Sequence, residues 1–261
     1  MDRLIPAATA ILLSALIPVA ATAASEGIQS LRTEIEMTDA GELQVREHIT
    51  VRAAGDEIRH GIYRTLPRRI ESPAGKAHGV SYRIERVAGR AGAMDSEEQT
   101  LFSDSAPAQR VSRNDSAVRV CMGCDGPELA PGVYTYRLDY RVQSPLIEGR
   151  EQDRLFWPAT GTSGWPFPID HARVALHLPD AVQPGSLATT AFHQPANDAY
   201  RFAETVTRYP GSGPDVAIEY GRTIEPGEAF AVAFAWPHGR VADSSALNPP
   251  QSSGASGGFF P

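Results

Sequence analysis

Between Leu43 and Arg52, apolar and polar residues alternate one for one. Leu43, Val45, Ile49 and Val51 share one parity with Glu47, and Gln44, Arg46, His48, Thr50 and Arg52 hold the other. A period of two predicts a half-buried β-strand. Thr33, Ile35 and Met37 against Glu34 and Glu36 predict a second strand, and Asp39-Ala40-Gly41 between them predicts a hairpin turn. The cleanest alternation sets Tyr134, Tyr136, Leu138, Tyr140 and Val142 against Thr135, Arg137, Asp139 and Arg141. Val174, Leu176 and Leu178 predict another strand, as do Val216, Ile218 and Tyr220. Phe230, Val232, Phe234 and Trp236 form one face of a late strand whose other face is alanine, so it should be covered on both sides. Val80, Tyr82 and Ile84, and Val118 with Val120, add two shorter candidates.

After residue 25 no stretch sustains a 3.6-residue period over three turns. The expected fold is therefore all-β, an antiparallel β-sandwich, either one elaborated sandwich or two small ones. Antiparallel pairing is expected because helices are missing to build parallel crossovers. Ala91 to Arg110 is polar and reads as a long surface loop. The chain carries 23 glycines and 21 prolines, a density that interrupts long helices and supplies turns. Its 42% hydrophobic content excludes global disorder. The net charge of −7 argues against nucleic acid or an anionic membrane surface as the main partner.

The ends have a different character. Met1-Asp2-Arg3, an apolar run from Leu4, and Ala21-Thr22-Ala23 predict a secretory signal peptide over residues 1–23. Residues 25–245 are the expected folded domain. Residues 246–261 are rich in Pro, Ser and Gly and read as a linker.

Few residues suggest chemistry. Glu47 sits on the apolar parity of its strand, and a buried carboxylate needs a partner. Arg64 is the natural one, and a structural Glu47–Arg64 ion pair is expected. The basic run Arg64, Arg68 and Arg69 also reads as a solvated edge, with contact to a polyanion as the alternative, though the acidic remainder opposes its field. Cys121 and Cys124 follow Val118 and Val120 and precede Asp125-Gly126-Pro127. In an exported chain they predict a local disulfide, with free thiols, a shared metal site or thiol–disulfide chemistry as alternatives. The seven histidines show no metal-ligand spacing. Gly161-Thr162-Ser163-Gly164-Trp165 fails as a nucleophile elbow because Trp165 stands where that motif needs glycine. Phe156, Trp157, Trp165 and Phe167 flank a Pro/Gly-rich loop, and either plug one end of the sandwich or form a recognition loop. No catalytic residue, cofactor site or metal site is expected.

Four blocks in order carry a family resemblance. They are Asp39 to Glu47; Arg59 to Pro67 with its Gly61-Ile62-Tyr63-Arg64; Leu155-Phe156-Trp157 with Gly164 to Ile169 and the strand from Val174 to Pro179; and Gly227 to Val241 with Pro237-His238-Gly239. Together they span about residues 28–242 and resemble the domain-of-unknown-function family 2207, bacterial predicted membrane proteins. The resemblance implies an extracytoplasmic β-rich domain after a signal peptide, followed by a transmembrane segment. Two departures stand out: Pro158 follows Trp157 where relatives commonly carry a polar residue, and Phe259-Phe260-Pro261 stands where a membrane helix is expected to begin.

The functional expectation is an exported, non-enzymatic binding or assembly module. It would lie at the periplasmic or extracytoplasmic face of the cytoplasmic membrane, tethered through a downstream anchor, with an envelope protein or glycan as partner. The alternatives are an envelope hydrolase acting on glycan or peptide, with Glu47 or a loop Asp as its acid/base, and a carbohydrate-binding module using an exposed Trp157 or Trp165.

Overall fold

The structure is a computed structural model and describes residues 25–75, 77–92, 100–102, 109–210 and 215–242. The expected signal peptide and the terminal linker lie outside the described residues.

The chain is all-β. The largest sheet has eight strands. Its centre is β1 (Gly27–Met37), β2 (Leu43–Ala53), β10 (Gly132–Gln143) and β6 (Ser81–Ala91), with β7 (Thr100–Phe102) at one edge. On the other side of β1 lie β13 (Ala172–His177), β17 (Val216–Tyr220) and β16 (Thr205–Arg208). A five-stranded sheet runs β11 (Leu146–Ile147), β12 (Gln152–Trp157), β18 (Ala229–Pro237), β14 (Ala188–Gln194) and β15 (Arg201–Phe202). A third sheet sets β9 (Ala117–Met122) between β3 (Ile62–Pro67) and β8 (Gln109–Arg113). β4 (Arg69–Glu71) and β5 (Ala77–Gly79) make a short ribbon. Among the described residues the helical content is one 3₁₀ turn, Pro184–Ser186.

The alternation explains the layering. Leu43, Val45, Ile49 and Val51 point inward with Tyr136, Leu138, Tyr140 and Val142 of the paired strand. They meet Leu155, Trp157, Phe230, Val232, Phe234 and Trp236 of the five-stranded sheet in one continuous hydrophobic cluster. Tyr140 stacks on Trp157 (centroids 6.5 Å apart) and Tyr220 packs on Phe230 (5.0 Å), so ring contacts join the two large sheets. The opposite face of the large sheet carries charge ladders such as Arg46–Asp139 (3.3 Å) and Arg141–Glu42 (3.0 Å). Exposed pairs of this kind add solubility and little stability.

Two expectations need correction. One ladder is parallel, with β1 beside β13 in register Leu31 to Ala172. A parallel neighbour needs a long crossover, and here the many strands between β1 and β13, some in this sheet and some in the others, supply it in place of a helix. The polar segment Ala91 to Arg110 also contains strand: Phe102 of β7 pairs with Gly89, and Gln109 of β8 pairs with Met122. Charged positions there hide the short pairings from a hydrophobicity count.

Candidate functional site

Glu47 is fully buried because β2 alternates and its inward position falls there. Its carboxylate accepts three hydrogen bonds. Arg64 donates from Nε to Oε2 (2.7 Å) and from Nη2 to Oε1 (2.8 Å), and the Tyr140 hydroxyl donates to Oε1 (2.7 Å). Arg64 Nη2 also donates to the carbonyl of Ala159 (2.9 Å), in the segment that leaves β12. Glu47 belongs to the large sheet, Arg64 to the three-stranded sheet, and Ala159 to the exit of the five-stranded one. A single guanidinium therefore ties three sheets together. Of the basic run, Arg68 and Arg69 are exposed, whereas Arg64 is 2% exposed and lies in the core.

The cluster is electrostatically closed. Burial works against the Arg64 charge, yet the adjacent Glu47 carboxylate outweighs it and holds the guanidinium above its ordinary value. Burial pushes the Tyr140 hydroxyl well up, and Glu47 adds to the shift. Tyr82, edge-on to Tyr140 at 5.9 Å, is likewise pushed up by burial and donates to the Pro67 carbonyl (2.8 Å). A charged pair removed from water has value only with good geometry and satisfied remaining groups. Glu47 meets both conditions, and at 0% exposure its carboxylate is out of reach of a substrate.

Above this cluster a cleft of about 420 Å³ runs between β3 and the loop after β12. Trp165 forms part of its wall, with the Arg64 guanidinium 5.9 Å from the ring centre. Tyr63, 47% exposed, and Arg119, stacked 3.8 Å above the Tyr63 ring, form the rim. Gly161 closes one end. With φ +86° it holds a conformation that suits glycine, and a Cβ there would sit 3.4 Å from both Arg64 Nη1 and the Thr65 carbonyl. Glu57 is the one carboxylate among the described lining residues. A glycosidase pair needs two, about 5–10 Å apart.

The start of β3 is held from both sides. Glu26 accepts five backbone N–H groups, from Ala54, Gly55, Asp56, Glu57 and Ile58 (2.7–3.2 Å), and so fixes the loop that leads into β3. These amides hold its carboxyl below the ordinary range despite the opposing effect of burial. Opposite, Cys121 and Cys124 form a disulfide, with Cα atoms 5.8 Å apart. That turn packs backbone to backbone on Gly61, where a Cβ would lie 1.9 Å from the Met122 carbonyl.

The aromatic loop residues sit elsewhere than a sugar-binding platform requires. Trp157 and Trp165 are 3% and 5% exposed, Phe156 is buried and Phe167 is half-buried. Neither tryptophan presents an exposed outer face, which corrects the stacking alternative: Trp157 stacks on Tyr140, and the Trp165 ring lies under the Arg64 guanidinium. Among the described residues no group of three or more His, Cys, Asp or Glu could hold a metal ion. One site escaped the sequence reading. The inward-pointing Asp153 of β12 accepts from His238 Nδ1 (2.7 Å) and from the Gly239 amide (2.9 Å). Like Glu47, Asp153 breaks an apolar parity, and that is the signal available in the sequence.

Residues 27–246 match the family described as "Predicted membrane protein (DUF2207) N-terminal domain". Among curated proteins, the uncharacterized protein YciQ of Escherichia coli (strain K12) is 27% identical over 222 residues, which cover 85% of this chain and 32% of YciQ. The chain therefore spans less than two thirds of that relative's length. Among solved structures, a candidate protease from Parabacteroides distasonis gives a TM-score of 0.43 at 10% identity, over 80% of this chain and 40% of that one. The M1 zinc metallopeptidase from Deinococcus radiodurans gives 0.38 at 10% identity, over 79% and 42%. Scores at that level say nothing about chemistry.

Proposed function

The chain belongs to the DUF2207 family of predicted membrane proteins, and on that premise we propose that it is an extracytoplasmic recognition domain. It binds a partner at the cell envelope, is held at the membrane by another part of the full-length protein, and performs no chemistry of its own. Among the described residues no helix is long and apolar enough to cross a bilayer, which fits an extramembrane domain. The observation that carries the reading is the relation of the cleft to the cluster beneath it. The Glu47–Arg64–Tyr140 network joins sheets, while the cleft beside it stays open and is lined by Arg64 and Arg119, Glu57, aromatics and loop backbone. Concave sites with a few converging polar groups on a rigid scaffold are the usual form of a binding site.

Site-specific photo-crosslinking in cells tests this reading. A photoreactive residue at Tyr63, on the cleft rim, should give a discrete adduct on the extracytoplasmic side. The same probe at Glu85, on the charged outer face, should give none. Equal labelling from both positions, or adducts formed only with cytoplasmic proteins, would contradict the proposal.

A further inference from the structure

The backbone of β3 adds a feature that the side chains alone do not reveal. Arg68 N donates to the Ser116 carbonyl (2.8 Å), which extends the β3–β9 ladder by one bond and marks position 68 as facing β9. Hydrogen-bonded and non-hydrogen-bonded pairs alternate along an antiparallel ladder. Counting back two residues at a time, Leu66, Arg64 and Ile62 turn their backbone groups toward β9. Tyr63, Thr65 and Pro67 turn theirs outward. Two observations fit this count. The outward Pro67 carbonyl accepts from Tyr82, and proline stands at the edge position, where its missing N–H costs nothing. The outward groups of Tyr63 and Thr65 face the cleft, because among the described residues β3 is an edge strand of its sheet.

One guanidinium nitrogen is also left over. Arg64 uses Nε and Nη2 on Glu47 and Ala159, whereas Nη1 has no hydrogen-bond partner among the described residues and lies at the cleft wall against Gly161. The two N–H groups of Nη1 are open to an acceptor in the cleft, and a carboxylate is the acceptor that bonds them most strongly.

Resting on the reading of this cleft as a binding site, we propose that it receives an extended peptide segment that adds a strand to the free edge of β3 and places an Asp or Glu carboxylate against Arg64 Nη1. The Tyr63 carbonyl and the Thr65 N–H bracket position 64, so an added strand puts one residue directly beside Arg64. Residues opposite one another across a ladder project to the same face. An acidic side chain at that position therefore points toward Nη1, and its neighbours point toward the Tyr63–Arg119 rim. Main-chain bonds give such a site affinity and the side-chain pockets give it specificity. Glu57, also in the lining, disfavours a second acidic residue beside it.

Hydrogen exchange of the ¹⁵N-labelled chain tests this. The probe is a set of end-blocked pentapeptides with Asp at the centre and randomised flanks, compared with the same set carrying central Asn. The Asp set should slow exchange at Tyr63 and Thr65 by about tenfold while leaving the ladder-facing Leu66 amide unchanged, and the Asn set should act far more weakly. Thr65→Pro removes the outward N–H without touching the ladder to β9 and should abolish the slowing at Tyr63. Absence of slowing at both amides, equal effects of the two sets, or full slowing in Thr65→Pro would each overturn the inference. Rim cross-links in cells report contact with any partner, so their presence would not rescue it.

Discussion

Arg64 donates two parallel hydrogen bonds to Glu47, 2.7 and 2.8 Å long, from one sheet to another beneath the cleft. The pair is fully desolvated, so its two members are worth far more together than either is alone. Arg64→Leu leaves an uncompensated buried carboxylate and should destabilise the domain by about 3–5 kcal/mol in urea unfolding. A loss below about 1 kcal/mol would mean that the pair is solvated in solution.

Tyr140 supplies the third donor to Glu47. Tyr140→Phe keeps the ring that stacks on Trp157 and removes only the hydroxyl, so the expected loss is about 1.5–3 kcal/mol, as for a hydrogen bond to a charged group. Unfolding in denaturant measures it, and an unchanged midpoint would show that the carboxylate finds another donor.

Much of the fold is legible in the alternation of side chains. β2, β10 and β18 announce themselves because inward positions are apolar almost without exception. β3 does not, although its burial pattern alternates just as strictly. Its inward set is Ile62, Arg64 and Leu66 and its outward set includes Tyr63, so charge sits inside and an aromatic outside. A hydrophobicity count cancels there, and the strand that lines the cleft is the one it misses. β12 loses its signal in the same way through the inward Asp153. β16 is exposed along most of its length, including Val206, so it has no buried parity to display. The same anomaly that hides β3 identifies the site: Glu47 on an apolar parity demands a cation, and Arg64 stands in the Gly61-Ile62-Tyr63-Arg64 block. Which strand edge stays open depends on the β3–β9 register, and no local sequence pattern specifies that.

Glu26 gives the domain an acid-sensitive element. Its folded carboxyl lies below the ordinary value, so the unfolded chain binds the proton more readily. The resulting stability is present in full above the unfolded value and is lost as pH falls through the folded one. Glu26→Gln should therefore flatten the acid limb of the stability profile and destabilise the chain more at neutral pH than at low pH. Parallel pH profiles for the two proteins would contradict this.

His238 shows the opposite sign. The hydrogen bond and charge of Asp153 raise its imidazole above the ordinary range. The stabilisation it contributes is present below the unfolded value and disappears as pH rises through the folded one. Titration of its ring proton by NMR should give a midpoint above that of a free histidine, returning toward it in Asp153→Asn. An unchanged midpoint in that variant would show that the contact does not persist in solution.

The disulfide closes only a four-residue loop, so chain entropy limits its contribution to roughly 2 kcal/mol. Replacing Cys121 and Cys124 with Ser should cost no more than that. The added exchange should concentrate at Gly61 and the start of β3, where the turn packs. A global loss of protection would assign the disulfide a larger part.

The central claim is that one buried ion pair joins three sheets and thereby holds the β3 edge open to the cleft. A double-mutant cycle over Glu47→Leu, Arg64→Leu and the combined variant, read by urea unfolding, tests it most directly. The account predicts a double variant more stable than either single one, so the coupling energy exceeds the loss in either single variant and is at least about 3–5 kcal/mol. Additivity within about 0.5 kcal/mol would contradict it.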